Sequence, residues 1–269
     1  MDTQDKTVLY SREGPVGCLT VSNPAKRNAI GQSMWLAVPG LVRRAEADPD
    51  VRVLLVRGAG QEAFAAGADI GEFDTRFASA QGCRDYHDAI RHAEQTLGRC
   101  AKPTIAMIHG YCIGGGMELA LACDLRFASE AAQFGVTASK LGVVYSLTST
   151  LRLVQLAGPS RTRDMLYSGR LFGAREAASM GLVDRMFPAA DLERDTLDYA
   201  HTLCRRAPGA MAASKRIVGL ILEGARDETV ESERLRLDAF AGDELAEGVR
   251  AFKARRQPEF PAHPSGARP

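Results

Sequence analysis

Three successive glycines, Gly114-Gly115-Gly116, stand between an apolar run and a helical run, with Glu118 close behind them. Glycines in such a place allow unusual backbone angles and close ligand approach. A helix start leaves N–H groups without partners, and its dipole favours negative charge. The segment therefore suits a bound phosphate, an oxyanion developing on a substrate, or simply a tight strand-to-helix turn. The phosphate alternative is the weaker. No Lys-Ser or Lys-Thr follows the glycines, as a Walker loop needs. Gly114-Gly115-Gly116-Met117-Glu118-Leu119 does not fit GxGxxG. An ATP- or NAD-binding α/β protein is disfavoured on that ground. A second segment, Phe64-Ala65-Ala66-Gly67-Ala68-Asp69-Ile70, has small residues that leave N–H groups accessible, and Asp69 suits the cap of a short helix. Alone it also reads as a compact turn. Together the two segments are more specific. Each follows a central strand, and in a parallel sheet both loops emerge at the carboxyl edge, where two N–H groups can converge on one carbonyl oxygen. Glu118, about one helical turn after Gly115, can face the same cavity.

The elements that must position these loops are legible in outline. Residues 8–10 and 16–21 read as a hairpin around Glu13-Gly14-Pro15. Ser33 is expected to cap a helix over 33–47, with Pro39-Gly40 inside it. Strands are expected at 51–56, 103–108, 125–128 and 133–134, and an amphipathic helix at 81–97. After about Leu147 the pattern is helical, with pieces at 151–156, 161–167, 174–180, 191–206, 209–222 and 229–254, the last divisible in two. Strands alternating with helices indicate an α/β unit with buried parallel strands. Residues 258–269, rich in Pro, Gly and Ala, read as an extended end.

Bulk properties exclude several classes. A net charge of +1 gives no global reason to bind nucleic acid or a membrane surface, so any phosphate must be held by a few local cations. Cys18, Cys83, Cys100, Cys112, Cys123 and Cys204 include no CxxC pair and no zinc spacing, which points to reduced thiols in a cytoplasmic protein without a metal. The opening MDTQDKTVLY has no signal-peptide pattern, and no apolar stretch is long enough to span a membrane.

Several segments together resemble the crotonase superfamily, also called the enoyl-CoA hydratase/isomerase family. They are Lys26-Arg27-Asn28-Ala29, residues 64–70, Gly110 through Leu119 followed by Cys123-Asp124, and Met180-Gly181-Leu182-Val183 within 177–184. Near the end, Glu247-Gly248-Val249-Arg250-Ala251-Phe252 with Arg256, Pro258 and Phe260 also matches. The resemblance covers about residues 8–260. It implies an α/β, crotonase-like spiral of ββα units over residues 1–200. It implies a helical C-terminal region over 201–269 that builds homotrimers or hexamers (dimers of trimers). It further implies an acyl-CoA substrate, with coenzyme A as part of that substrate and no other cofactor.

By that resemblance Ala68 and Gly115 supply two N–H donors to a thioester enolate. Arg27, Ala29, Ala66 and Ile70 match positions that hold the CoA moiety, with Arg27 either a phosphate contact or an exposed loop cation. Asp69, Gly114, Ala138 and Leu141 are counted with the substrate-binding positions. Hydratases of the family use two glutamates, one to position water and one to move a proton. The first matches Glu118. The second position is Ala138, which cannot transfer a proton. Leu141-Gly142-Val143-Val144-Tyr145 is similar to the methylmalonyl-CoA decarboxylase branch, in which a Tyr matching Tyr145 sits beside the substrate. That branch has His where this chain has Ala68, so the match is partial. Tyr145 either orients a leaving carboxylate, supplies a proton, or is a buried aromatic with a satisfied hydroxyl.

Three functions follow as expectations: nominally an enoyl-CoA hydratase lacking its second glutamate, an acyl-CoA decarboxylase, or a non-catalytic acyl-CoA-binding protein. His109 and Asp124 read as hydrogen-bonded structural residues and Trp35 as core. Arg152, Arg161 and Arg163 read as solvated or at a subunit interface.

Overall fold

A computed structural model describes residues 6–261 of the chain. The hairpin is present as strands β1 (Thr7–Glu13) and β2 (Val16–Ser22) around Gly14. Helix α1 (Gln32–Ala47) follows. Its cap lies two residues earlier than expected. Gly31, not Ser33, is its N-cap, and the Gln32 N–H donates to Glu72 Oε2 at 2.9 Å, so a distant carboxylate caps this helix. It continues through Pro39 because Trp35, Val38, Val42 and Ala45 bury one stripe of it, which offsets the missing rung.

From there the chain repeats one motif. Strands β3 (Val53–Gly58) and β4 (Ala63–Ala65) lead to the short helix α2 (Phe73–Arg76) and the long helix α3 (Ala80–Gly98). Strands β5 (Thr104–Ile108) and β6 (Tyr111–Ile113) lead to α4 (Gly115–Leu121). Strands β7 (Leu125–Ser129) and β8 (Gln133–Gly135) lead to α5 (Leu147–Ser168). Strand β9 (Leu171–Gly173), helix α6 (Ala174–Ser179) and strand β10 (Arg185–Phe187) complete the sheets. Helices α7 (Leu192–Cys204), α8 (Pro208–Leu222), α9 (Val230–Ala241) and α10 (Asp243–Ala254) close the chain.

Each ββα turn gives its first strand to one sheet and its second to another. The larger sheet runs β1-β2-β3-β5-β7-β10, parallel apart from the hairpin; the smaller runs β4-β6-β8-β9. This is the spiral of ββα units with a helical C-terminal region. The central strands are buried on both faces. Val53, Leu55, Ile105 and Met107 pack with Leu192 and Ala200 of α7, while Leu54, Val56, Ala106 and Ile108 face the main core. That is why they read as unbroken apolar runs rather than alternating ones.

Helix α5 breaks at Gly158 (φ 78, ψ 164), which separates the two pieces read from the sequence; it starts earlier because Ser146 Oγ accepts the Ser149 N–H at 3.1 Å. The capping box at Thr229 starts the last stretch, Gly242 divides it into α9 and α10, and residues 258–261 are irregular. The rest of the expected extended end, and residues 1–5 of the opening segment, lie outside the described residues. All six cysteines are free, with Cys18, Cys100, Cys112 and Cys123 buried. No described helix is long and apolar enough to cross a membrane.

Candidate active site

Strands β4 and β6 are parallel neighbours, Ala63 beside Tyr111 and Ala65 beside Cys112, so the loops that leave them run side by side. The first loop is tied down on one edge. The Ala66 N–H donates to Arg27 O at 3.0 Å, the Ile30 N–H to Gly67 O at 2.8 Å, and the Asp69 N–H to Ile30 O at 3.0 Å. In parallel pairing, a residue whose two neighbours are bonded across presents its own N–H to the other edge. Ala68 is that residue, bridged to Ile30. On that other edge lies α4: a methyl group on Gly115 would come within 3.7 Å of Ala68 N and 3.3 Å of Trp35 Cζ2.

The second loop turns at Gly114, whose φ of 49° and ψ of −110° only glycine adopts without strain. Its N–H donates to Gly135 O at 2.9 Å. Its carbonyl accepts from the Glu118 N–H at 3.0 Å and from the Tyr145 hydroxyl at 2.9 Å. Among the described residues, neither the Ala68 nor the Gly115 N–H donates to a backbone or side-chain acceptor. Two unspent donors thus sit close together at a helix N-terminus, the arrangement an oxyanion needs. Gly116 makes the approach possible, because a methyl group there would lie 2.4 Å from Ala65 O.

Glu118 is buried in the first turn of α4. Burial, then the neighbouring Glu94 carboxylate, push its carboxyl up to about 8, against the opposing pull of the Ser149 hydroxyl and Arg152. The Ser149 hydroxyl lies 2.7 Å from Glu94 Oε1 and 3.2 Å from Glu118 Oε1. One hydroxyl proton cannot serve both oxygens at once. Burial raises the Glu94 carboxyl too, but Arg152 opposes it, its Nη1 donating to Glu94 Oε1 at 3.0 Å and its Nη2 to the Glu94 carbonyl at 3.1 Å, so Glu94 is the better placed of the two to carry the charge. The proton of the pair therefore resides on Glu118 at neutral pH.

Arg152 is neither solvated nor an open surface cation; it lies over the fully buried Glu94, whereas Arg161 and Arg163 are exposed as expected. Glu94 stands apart from the residues the sequence reading singles out. The buried stripe of α3 runs Tyr86, Ala89, Ile90, Ala93, Glu94, Leu97, and a carboxylate in the apolar stripe of an amphipathic helix was the signal. Arg152→Ala should lower stability by about 3–5 kcal/mol, because it leaves a buried charge unpaired. The midpoint of urea unfolding reads this. The loss should shrink as pH falls and Glu94 takes up a proton.

The remaining expected positions divide. Ala29 is buried, Ala66 half-buried, and Ile70 and Leu141 exposed. Ala138 and Leu141 bound a short 3-10 turn, with Ala138 half-buried against the core. Arg27 lies on the exposed side, its Nε donating to Glu62 at 2.5 Å and its guanidinium 5.4 Å over the Tyr111 ring. Asp69 is not free to meet a ligand. Its buried carboxylate accepts from Lys26 at 2.7 Å, Lys6 at 3.3 Å and the Gly71 N–H, so it caps the short helix and holds the loop. Tyr145 has no free proton for a substrate either, since its hydroxyl proton is committed to Gly114. Trp35 is core, as expected. Asp124 is hydrogen-bonded to Thr104 and paired with Lys215. His109 is buried at its strand end.

The sequence model of the family described as enoyl-CoA hydratase/isomerase matches residues 11–263. The chain is 34% identical over 260 residues to a probable enoyl-CoA hydratase of Mycobacterium bovis, covering 95% of this chain and 98% of that one. It is 28% identical over 257 residues to a crotonyl-CoA hydratase of Syntrophomonas wolfei, covering 95% and 98%. Among solved structures, a putative enoyl-CoA hydratase/isomerase family protein from Hyphomonas neptunium is 38% identical. It superposes with a TM-score of 0.93 over 98% of this chain and 100% of that one.

Proposed function

The chain belongs to the enoyl-CoA hydratase/isomerase family, the crotonase superfamily, and is an enzyme of that family. From that premise we propose that it stabilises the enolate of an acyl-CoA thioester between the N–H groups of Ala68 and Gly115, with Glu118 as its working acid. The observation that carries this reading is the pair of unspent donors with a buried, proton-holding carboxyl one helical turn away. Negative charge forming on the thioester oxygen meets fixed dipoles that need no reorganisation. Glu118 then delivers its proton to carbon. Arg27, Ala29, Ala66 and Ile70 would hold the CoA moiety, and no cofactor beyond it enters the reading.

Relatives carry hydratase names, so hydratase is the nominal activity. Hydration requires one group to activate water and another to protonate carbon. Ala138 stands where the second carboxyl is expected, and Glu118 holds a proton at neutral pH rather than accepting one from water. Both features favour a second reading, decarboxylation of a malonyl-type thioester. There the electrons of the breaking C–C bond pass into the enolate and the carboxylate departs as CO2. Glu118 protonates the α-carbon and recovers its proton from solvent. No base on carbon is needed.

A panel of acyl-CoAs with mass-spectrometric product identification tests both readings. Hydration of crotonyl-CoA should run at least about 10²-fold below that of a two-glutamate hydratase. Release of CO2 from methylmalonyl- or ethylmalonyl-CoA should exceed hydration. Fast hydration overturns the one-acid reading; binding of acyl-CoA without any turnover makes the chain a non-catalytic binder.

Self-association belongs to the same proposal. Helix α8 is strongly apolar yet has no buried residue within the described chain, and Val218, Ile221, Leu222, Leu237, Phe240 and Phe252 are exposed on the last helices. Such a surface is normally covered by another subunit. A homotrimer or a pair of trimers would cover it, and sedimentation of the same preparation reads the mass.

A further inference from the structure

The carbonyl of Gly114 and the N–H of Gly115 belong to one peptide group. The Tyr145 hydroxyl donates to the first at 2.9 Å; the second is the oxyanion donor of the proposed function, on which this inference rests. We propose that Tyr145 is a positioning residue of the oxyanion hole, which aligns and polarises the Gly114–Gly115 peptide from its far side.

The physics is that of amide resonance. When the Gly115 N–H bonds a forming enolate oxygen, electron density shifts along the peptide toward the Gly114 oxygen. A donor already seated on that oxygen stabilises the shift, and hydrogen bonds arranged in a chain strengthen one another in a poorly solvated interior. The surroundings meet that condition, since Tyr145 packs against the core. Burial, and then the nearby Glu118, raise its hydroxyl well above the ordinary tyrosine range, so it stays protonated and keeps donating. The Glu118 N–H bonds the same carbonyl at 3.0 Å, which completes its acceptor capacity and fixes the plane of the peptide. Gly114 itself supplies no side chain to hold that plane, and its φ of 49° is one that favours glycine there. Tyr145 directly precedes the Ser146 cap of α5, the helix whose Ser149 reaches Glu118. The hydroxyl thus anchors the oxyanion peptide to the element that also organises the acid.

Tyr145→Phe removes the hydroxyl and little else. The probe is butyryl-CoA labelled with carbon-13 at the thioester carbonyl, bound at saturation and observed by infrared difference spectroscopy. In the unsubstituted enzyme the carbonyl band should fall below its frequency in solution. In Y145F the shift should shrink, kcat should drop about three- to tenfold, and KM should stay nearly constant. Thr162→Val, which removes the Thr162–Gly158 bond at the break of α5 and touches neither the peptide nor Ser149, should leave the band where the unsubstituted enzyme has it. An unchanged band in Y145F overturns the proposal, as does an equal change of the band in T162V, which would mean general loosening. Absence of any shift in the unsubstituted enzyme overturns the oxyanion reading itself, and this inference with it.

Discussion

Glu118→Gln should lower turnover by about 10²–10⁴, while acyl-CoA binding persists because backbone groups hold the thioester. Gln keeps the shape and a hydrogen-bonding end but has no acidic proton. The pH dependence gives the sign of the role. With the carboxyl raised to about 8, a proton donor loses competence as pH rises through that value. Turnover of the unsubstituted enzyme should therefore fall above pH 8, and that limb should be absent from E118Q. A limb that rises through pH 8 would make Glu118 a base and overturn its assignment as donor. Stability follows the same linkage. Between the ordinary carboxyl range and about 8, the folded protein holds a proton that the unfolded chain has released. Stability conferred by that proton is complete at low pH and declines as pH rises through the window. E118Q should flatten this slope in denaturant titrations.

Gly116→Ala should be nearly as damaging to catalysis, though it adds one methyl group and no charge. That methyl would lie 2.4 Å from the Ala65 carbonyl oxygen, a backbone atom at the end of β4 that no rotamer change can move. Either α4 or β4 must shift, and the gap between the Ala68 and Gly115 donors widens. Losing one properly placed donor costs about 10²–10³ in kcat. The expected signature is a low kcat with native circular dichroism and nearly normal CoA affinity. Full activity in G116A would mean that the spacing of the two loops is not what positions the donors.

Much of this was legible in the sequence, for identifiable reasons. Central strands β3 and β5 are buried on both faces and read as apolar runs; α3 carries one apolar stripe and reads as a helix. The short strands β4 and β6, from which both oxyanion loops spring, were not resolved from the turns around them. Three residues are too few to show a period, and β4 is preceded by the polar Gln61-Glu62 while β6 follows Gly110. The loops therefore follow strands of the smaller sheet rather than the central strands of the larger one. Glu118 was legible because it sits a fixed distance along the chain from the glycines. Glu94, Ser149 and Arg152 were not, because contacts between residues 55 and 58 apart in the chain leave no local pattern. Of the alternatives for Tyr145, the structure fits the aromatic with a satisfied hydroxyl, which donates to Gly114; that choice is a matter of side-chain direction that spacing does not encode.

The repeating spiral has a consequence for how such a protein can change its chemistry. Its first two ββα turns, ending in the loops after β4 and β6, carry the Ala68 and Gly115 donors proposed to receive the charged oxygen. The third, β7-β8-α5, supplies Ala138, where a second carboxyl would stand, and Ser149, whose hydroxyl meets Glu118. Exchange of side chains in that third turn can redirect the reaction while the carbonyl-binding half stays intact. A lineage built this way can move between products by altering the contiguous stretch 138–149.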